Sequence, residues 1–380
     1  MVKAKKYVVK KFFEGVPKRE DYEIMEYELP ALQNGEILVK AEWLSVDPYL
    51  RAYNSSLKPP YDQFGFQVAE VLQTKDPAYP IGTKVVTHKG WCDYSVVSTD
   101  NTGKHPMDSV YKLPNLKGLS PSLGAGAVGM PGATAYLGFL EVCKPKAGET
   151  VVVTGAAGAV GSIVGQIAKI KGCKVIGFAG SDDKVKWLVE DLGFDKAYNY
   201  KTVDVRKVLK EAAPDGIDCY FDNVGGEISS QIIHQMNEGG RVNCCGSISS
   251  YNEDPRQLPK VTLLQPAIIF KELKVDGFLI WNWVKRWPEA FEELVEWIKS
   301  GQLKAREHVT EGFDNVFDAF IEMLDGKNFG KAIVKVQTKR QYTLKESFRL
   351  LYINNYSLQI DATPYRAPPR AVRAVTRRAQ

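Results

Sequence analysis

The sequence has no long hydrophobic run and few cysteines, and these two absences exclude several classes of protein. No apolar stretch approaches the roughly 20 residues that cross a bilayer, so we expect no membrane insertion. The six cysteines among 380 residues form no CxxC repeat and no Cys/His cluster with zinc-ligand spacing. We therefore expect reduced thiols and neither a disulfide scaffold nor a bound metal. A chain of this length is also expected to form a soluble protein with a large hydrophobic core.

The net charge is also small, at +5, and it is unevenly distributed. Residues 339–380 hold nine Lys and Arg against two acidic residues, which leaves the rest of the chain slightly acidic. The body of the protein therefore lacks the basic surface that nucleic-acid binding requires, and we expect a basic, disordered tail at 339–380. The basic segment at residues 1–7 lacks the apolar core of a signal peptide, so cytoplasm is the expected compartment.

Two sequence patterns divide the body of the chain. Residues 1–129 contain short runs rich in β-branched residues separated by Gly and Pro, which predicts a β-barrel-like unit. Residues 130–298 alternate between apolar strands and amphipathic helices, which predicts a doubly wound parallel sheet of the Rossmann type. Residues 299–338 contain a predicted strand near 303–309, a helix near 314–324 and a strand near 331–336, and they return to the first domain. The predicted fold class is thus α/β with a second, β-rich domain.

A glycine-rich loop, Gly155-Ala156-Ala157-Gly158-Ala159-Val160-Gly161, joins the first strand of the alternating region to its first helix. Small residues allow a tight turn, and the N-terminus of the helix then offers free N–H groups and a positive dipole to a phosphate. Ala156 replaces the first glycine of the GxGxxG motif, so the motif depends on its strand and helix for specificity. A bound dinucleotide is predicted; the alternative is a tight turn without a ligand.

The end of the second strand of this region favours NADP over NAD. Phe178-Ala179-Gly180-Ser181 is small and neutral where an NAD site carries a carboxylate for the ribose 2′-hydroxyl. A 2′-phosphate fits there against Lys184, Ser181 and Tyr200. The alternatives are an exposed helix lysine and an NAD site served by Asp182 or Asp183.

Two later loops follow strands at the same edge of the sheet, where open α/β folds bind their ligands. Asn223 lies in the turn 222–226 and can approach the cofactor ribose or stabilise the turn. The segment 246–251 carries hydroxyls for the ribose and pyrophosphate, and Tyr251 reaches toward the nicotinamide. The alternative for this segment is an ordinary polar loop.

These segments together resemble medium-chain dehydrogenases/reductases, and more closely their zinc-independent prostaglandin reductase and 2-alkenal reductase branch. The resemblance covers about residues 5–338, and its combination of motifs is specific although the glycine loop alone is not. The residues that carry it are Ser45–Arg51, Gly155–Gly161, Gln166–Lys169, Gly180–Lys184, Asp218–Gly226, Cys245–Tyr251 and Asn328–Lys331.

The resemblance implies a GroES-like catalytic domain built from both ends of the chain, an inserted Rossmann domain, and a homodimer. It implies NADPH as the cofactor. Together with the strand-end argument, the expected cofactor-binding residues are Gly158, Ala159, Val160, Gly161, Ser181, Lys184, Tyr200, Asn223, Cys245, Gly246, Ser247, Ile248, Ser249, Ser250, Tyr251, Phe278, Leu279, Ile280 and Asn328. A turn residue is the alternative for Asn328.

One departure from the zinc-dependent relatives bears on the chemistry. Their GHE motif is replaced by Gly65-Phe66-Gln67, and alcohol oxidation without zinc needs another way to acidify the hydroxyl. Conjugate reduction of an enone or enal needs no metal: hydride attacks the β-carbon, and the site supplies a donor to the carbonyl oxygen and a proton to the α-carbon. By resemblance the expected donor is the cofactor ribose 2′-hydroxyl assisted by Tyr251. Tyr49 lines the pocket, supplies the proton, or is simply a packed aromatic.

Other functions and contacts remain open at this stage. The leading hypothesis is an NADPH-dependent reductase of the double bond of small-molecule enones and enals such as 15-oxo-prostaglandins. The alternatives are an NADPH-dependent quinone oxidoreductase and a nonenzymatic NADPH-binding protein. The aromatic residues Phe278, Trp281, Trp283 and Trp287, with Tyr49 and Tyr53, form either a substrate groove or core, and Arg51 meets either a substrate carboxylate or Asp47. The four histidines are expected to be structural.

Overall fold

The computed structural model describes residues 3–102, 105–254 and 256–336. The predicted tail at 339–380 lies outside the described residues. The strands are β1 (Lys3–Val9), β2 (Tyr22–Glu28), β3 (Glu36–Ser45), β4 (Tyr61–Asp62), β5 (Gln67–Thr74), β6 (Lys84–Thr87), β7 (Tyr94–Ser98), β8 (Val110–Lys112), β9 (Thr150–Val153), β10 (Lys174–Ala179), β11 (Lys196–Asn199), β12 (Ile217–Asp222), β13 (Met236–Cys244), β14 (Lys274–Gly277), β15 (Glu307–Glu311) and β16 (Lys331–Lys335).

The helices are α1 (Tyr49–Ala52), α2 (Met130–Gly138), α3 (Gly161–Ile170), α4 (Asp182–Glu190), α5 (Val205–Ala212), α6 (Gly226–Ile233), α7 (Gln265–Phe270), α8 (Trp287–Lys299) and α9 (Val316–Leu324). Most of the helices lie between or beside the strands of the central region, and two others, α1 and α9, lie nearer the ends of the chain. Helix α4 begins where the sequence predicts it, because the Ser181 side chain accepts a hydrogen bond from the Lys184 N–H at the N-cap.

The central region folds into a six-stranded sheet with the order β11-β10-β9-β12-β13-β14. All of its strand pairs are parallel. One of the two central strands, β9, has the sequence Thr-Val-Val-Val and is buried along its whole length, as expected for a strand covered by helices on both faces. The predicted doubly wound sheet is confirmed.

The two ends of the chain meet in a second sheet with the order β15-β16-β3-β5-β6-β8, in which β7 also pairs with β3. Strand β16 is antiparallel to β3 and parallel to β15, so the last described strands complete a sheet that the first hundred residues begin. A smaller sheet, β2-β1-β4, lies beside it. The predicted α/β fold class with a β-rich, GroES-like domain is therefore confirmed.

Some predicted boundaries and exposures differ from those in the structure. The strand expected near 303–309 begins only at Glu307, because Leu303 is buried and its N–H donates to the Trp297 carbonyl at the end of α8. Cys244 is exposed because it lies at the end of β13 beside the exposed edge strand β14. Among the described residues, no helix is both long and apolar enough to cross a membrane.

Candidate active site

A cavity of about 1480 Å³ lies where the carboxyl ends of the parallel strands face α1 and the segment before β16. A pocket for a single drug-sized molecule has a volume of roughly 300–1,000 Å³. This cavity is larger, so it has room for a dinucleotide and a second molecule beside it. Its walls include the glycine loop, the loops after β10 to β13, and residues of the N-terminal domain.

The glycine loop has the shape that close approach of a phosphate requires. Gly155 adopts φ +58°, in the left-handed region that favours glycine. A Cβ at Gly161 would lie 2.4 Å from the Gly155 carbonyl oxygen, so this position needs glycine for packing. A Cβ at Gly158 would meet only that same oxygen, at 3.3 Å, and Gly158 lines the cavity. Since α3 begins at Gly161, the positive end of its dipole lies beside this cradle, and the loop fits a pyrophosphate.

Basic side chains lie around the ends of β10 and β11. The Lys184 Nζ donates to the Gly326 carbonyl oxygen at 2.5 Å, which fixes the ammonium group at the cavity wall. Burial, followed by the nearby charge of Lys201, lowers the pKa of Lys184. Lys201, Tyr200 and Arg206 also line the cavity, and cations at its wall favour an anionic ligand. This donor set fits a ribose 2′-phosphate.

The two predicted asparagines line the cavity, and both amides bond to backbone. Asn223 Nδ2 donates to the Thr154 carbonyl oxygen at 2.8 Å, and Asn328 Nδ2 donates to the Gly330 carbonyl oxygen at 2.8 Å. The Gly330 N–H in turn donates to the Ala157 carbonyl oxygen at 2.8 Å. The turn before β16 is thus hydrogen-bonded to the glycine loop. The Asn328 amide makes the bond of a turn-stabilising residue, which was the alternative to cofactor binding considered from the sequence.

The loop after β13 presents a tyrosine to the cavity. The Tyr251 hydroxyl accepts a hydrogen bond from the Ser247 N–H at 3.1 Å and lines the cavity. Burial raises the pKa of this hydroxyl, so it keeps its proton at neutral pH and can donate it. Cys245 lines the same wall, and burial raises the pKa of its thiol to about 12, which leaves it a protonated, unreactive group.

Tyr49 faces the cavity from the N-terminal domain at the start of α1. Its hydroxyl lies 3.1 Å from His88 Nε2, within hydrogen-bonding distance. Burial raises the pKa of Tyr49 well above its ordinary value and lowers the pKa of His88 to about 3. A protonated phenol therefore contacts a neutral imidazole beside the cavity.

A buried ion pair supports this side of the cavity. Lys331 Nζ donates to Asp47 Oδ1 and to the Val46 carbonyl oxygen, both at 2.6 Å, and the Ser45 hydroxyl also donates to Asp47. Lys331 and Asp47 are both almost fully buried. Asp47 is therefore paired with Lys331 rather than with Arg51, the partner considered from the sequence.

Most of the residues predicted from the sequence to bind the cofactor lie in the cavity wall. The exceptions are Ser181, which caps α4, and Ser247 and Ser250, whose hydroxyls bond to each other at 2.9 Å. Of the predicted aromatic groove, Trp283 packs on Phe278, with ring centroids 5.2 Å apart, and Trp287 is buried in the core. The predicted residues that line the cavity are Tyr49, Tyr53, Gly158, Ala159, Val160, Gly161, Lys184, Tyr200, Asn223, Cys245, Gly246, Ile248, Ser249, Tyr251, Phe278, Leu279, Ile280, Trp281 and Asn328.

Sequence reasoning missed three polar groups of this site. Lys201 and Arg206 line the cavity and follow β11 in the sequence. Two basic residues shortly after the end of a parallel strand could have indicated an anion-binding site. His88 was expected to be structural, and nothing in its local sequence indicates its contact with Tyr49.

The residues that replace the GHE motif are packed inside the β-rich domain. Gln67 is buried, and its Nε2 donates to the Gly90 carbonyl oxygen at 2.8 Å. Within the described ranges, no group of three or more His, Cys, Asp and Glu side chains lies close enough together to hold a metal ion.

Comparison with known proteins identifies the family. Family models match two parts of the chain, as N-terminal domain of oxidoreductase at residues 5–104 and as zinc-binding dehydrogenase at residues 159–300. The chain is 49% identical over 341 residues to prostaglandin reductase 1 of Bos taurus, a match that covers 88% of this chain and 100% of the relative. The chain belongs to the prostaglandin reductase family of medium-chain dehydrogenases/reductases.

Two further members support this assignment. The NADP(+)-dependent 2-alkenal reductase of Nicotiana tabacum is 38% identical over 348 residues, covering 88% of this chain and 98% of the relative. The crystal structure of CurA from Vibrio vulnificus in complex with NADPH superposes with a TM-score of 0.80 at 34% identity, covering 88% of this chain and 99% of that one. The match to the prostaglandin reductase family thus extends over most of the described chain.

Proposed function

We propose that this prostaglandin reductase family member reduces the conjugated carbon–carbon double bond of α,β-unsaturated ketones and aldehydes with NADPH. The observation that carries the proposal is one continuous cavity that is lined by a phosphate-binding glycine loop and by two tyrosines, Tyr49 and Tyr251. Relatives named prostaglandin reductase 1 and 2-alkenal reductase support this chemistry. The substrate is therefore a small molecule with a polarised double bond.

NADPH, when bound, supplies a hydride to the β-carbon of the substrate. In this chain the glycine loop and the first turn of α3 hold the pyrophosphate. Lys184, with Lys201 and Arg206 nearby, binds the 2′-phosphate. Asn223 and Asn328 stabilise turns in the cavity wall that would contact the ribose, and the segment 245–251 would contact the nicotinamide end of the bound cofactor.

The protein then stabilises the charge that develops on the substrate. The Tyr251 hydroxyl accepts a hydrogen bond from the Ser247 N–H and keeps its own proton, with which it donates a hydrogen bond to the developing enolate oxygen. Phe278, Leu279 and Trp281 supply apolar surface that excludes water from the reacting atoms. The Tyr49 hydroxyl, which belongs to the N-terminal domain, provides the proton.

A steady-state assay tests the proposal. The purified protein is mixed with NADPH and an enone, an enal, a matched saturated ketone or a quinone, and cofactor absorbance is followed with and without a chelator. We expect NADPH oxidation with the enone and enal at a rate that chelation does not change, with products two mass units heavier. No reaction with the saturated ketone is expected.

Two other outcomes would refute the proposal. Turnover of quinones without any enone product would identify a quinone oxidoreductase. NADPH binding without turnover of any acceptor would identify a nonenzymatic binding protein.

We also propose that the protein is a homodimer formed at the edge of the parallel sheet. All four residues of β14 are exposed, and the neighbouring helix α7 exposes Ile269 and Phe270, the latter by 85%. An open strand edge beside apolar side chains is a typical interface. Light scattering tests this proposal by measuring the molar mass of the native protein in solution. The Phe270→Glu variant is expected to have the mass of a monomer.

A cytoplasmic location is part of the proposal. All six cysteines are free thiols, four of them buried, which suits a reducing compartment. Subcellular fractionation tests it, and recovery of the protein from a secreted or vesicular fraction would refute it.

A further inference from the structure

The Tyr49–His88 pair joins the cavity to a histidine that the proposed chemistry has not used. Tyr49 opens α1 and lines the cavity, and His88 directly follows β6. The Tyr49 hydroxyl and His88 Nε2 are 3.1 Å apart, and the two rings lie nearly parallel, 17° from coplanar. The two side chains therefore form a hydrogen bond with one end at the cavity.

Aromatic packing fixes the orientation of the His88 ring. The Phe66 ring lies 4.6 Å from it, centroid to centroid, and the Phe64 ring lies 5.7 Å away. Phe64 also lies 6.0 Å from Tyr49, so one aromatic cluster holds both partners. Because these rings already restrict the orientation of the imidazole, little further side-chain entropy is lost when its Nε2 bonds to the Tyr49 hydroxyl.

The imidazole is neutral and has a titratable neighbour on the solvent side. His88 is partly exposed, and His105, which is exposed, is close enough for its charge to lower the pKa of His88 further. A neutral imidazole carries one N–H and one lone pair, so it can give a proton at one nitrogen while it takes one at the other. His88 therefore has the properties of a link between the Tyr49 hydroxyl and water.

We propose that Tyr49 delivers the proton that completes the reduction and that His88 is its positioning and proton-returning partner. The inference rests on the proposed function. The Tyr49 O–H bond breaks as its proton forms a C–H bond with the electron pair at the α-carbon of the enolate. The His88 Nε2 proton moves to the phenolate oxygen, and Nδ1 takes a proton from water, which leaves hydroxide in solution.

This division of work assigns different tasks to the two tyrosines of the cavity. Tyr251, fixed by the Ser247 N–H on the cofactor side, serves the carbonyl oxygen. Tyr49, on the wall formed by the β-rich domain, serves the α-carbon. With one donor for the carbonyl oxygen and another for the α-carbon, the protein rather than the solvent determines the face on which the α-carbon receives its proton.

The test uses the full-length enzyme and an enone with a methyl group on its α-carbon, so that protonation creates a stereocentre. Tyr49→Phe is expected to lower kcat at least ten-fold and to give both configurations at that carbon, because solvent then supplies the proton. His88→Phe keeps the aromatic packing but removes both nitrogens. It is expected to lower kcat at least ten-fold with the KM for NADPH unchanged and the wild-type configuration retained.

A double variant separates this role from a general structural one. Because His88 acts through Tyr49, His88→Phe is expected to have no further effect on kcat in the Tyr49→Phe background. An equal loss of kcat in both backgrounds, or wild-type kcat in His88→Phe, would overturn the proposal, as would retained configuration in Tyr49→Phe.

Two controls distinguish the loss of the proposed proton transfer from a nonspecific effect of the substitution and from misfolding. His308→Phe makes the same replacement on β15, outside the cavity wall, and is expected to keep wild-type kcat. If His88→Phe does not fold, His88→Gln replaces it in the same comparison, since an amide can bond to Tyr49 but cannot pass on a proton. Failure of the proposed function would appear separately, as a wild-type enzyme that does not oxidise NADPH with any enone.

Discussion

Arg51 Nε donates a hydrogen bond to Asn252 Oδ1 at 3.0 Å, and its Nη2 donates to the Gly15 carbonyl oxygen at 3.0 Å. Asn252 directly follows Tyr251, so a nearly buried guanidinium of the β-rich domain is bonded to the loop that carries the cofactor-side tyrosine. The sequence suggested a substrate carboxylate or Asp47 as the partner of Arg51. Its bonds instead give it a role in positioning that loop.

Arg51→Met is expected to destabilise the protein by about 2 kcal/mol, the usual cost of losing a hydrogen bond to a charged group, and to lower kcat. Asn252→Ala removes only the bond to the loop and should lower kcat with a smaller change in stability. Thermal unfolding and steady-state kinetics of both variants and of the double variant measure this. Fully additive effects on kcat would show that the two residues do not act together.

The Lys184 site leads to an expectation about cofactor preference. Lys184→Ala should reduce the preference for NADPH over NADH at least ten-fold, measured as the ratio of kcat/KM values, because only NADPH carries the 2′-phosphate. Lys186→Ala is the matched control: it lies on the same helix, pairs with Glu190 on the surface and should leave the ratio unchanged. An unchanged ratio in Lys184→Ala would remove this lysine from the phosphate site.

The two glycines Gly158 and Gly161 of the loop should respond differently to the same substitution. A Cβ at Gly161 would collide with the Gly155 carbonyl, so Gly161→Ala is expected to lower the unfolding temperature. A Cβ at Gly158 has more space, and Gly158 lines the cavity, so Gly158→Ala should weaken NADPH binding with little loss of stability. Thermal unfolding and fluorescence titration measure both, and equal losses of stability would contradict this distinction.

The sequence allowed us to place residues that directly follow a strand in the site, but it did not reveal contacts between residues that are far apart in the chain. Gly158, Lys184 and Tyr251 could be placed in the cavity wall because each follows a parallel strand, and the ends of such strands meet at one edge. The partners of other residues could not be found in this way. Asp47 is paired with a lysine 284 positions away, and Arg51 is bonded to an asparagine 201 positions away.

The position of His88 illustrates the same limit. It lies 39 residues from Tyr49, on a different element, and only the pairing of β5 with β6 and the packing of Phe64 and Phe66 bring the two side chains together. A histidine without ligand spacing gives no local indication of such a contact, so the sequence favoured a structural role. The register of a sheet, rather than the spacing of a motif, determines this part of the site.

The neutral state of His88 has a consequence for stability at acid pH. Burial lowers its pKa from 6.5 to about 3 in the folded protein, whereas the unfolded chain has the ordinary value. The unfolded state therefore binds more protons between these values. The contribution of His88 to stability is complete above pH 6.5 and falls by about 1.4 kcal/mol per pH unit as the pH decreases below it.

His88→Phe removes this contribution while the other titrating groups remain. Between pH 7.5 and pH 5, the wild-type protein is expected to lose about 2 kcal/mol more of its free energy of unfolding than the variant does. Denaturant unfolding of both proteins at four or five pH values measures the difference in slope. Parallel curves would mean that His88 has the same pKa in the folded and the unfolded protein, and they would contradict its burial as a neutral imidazole.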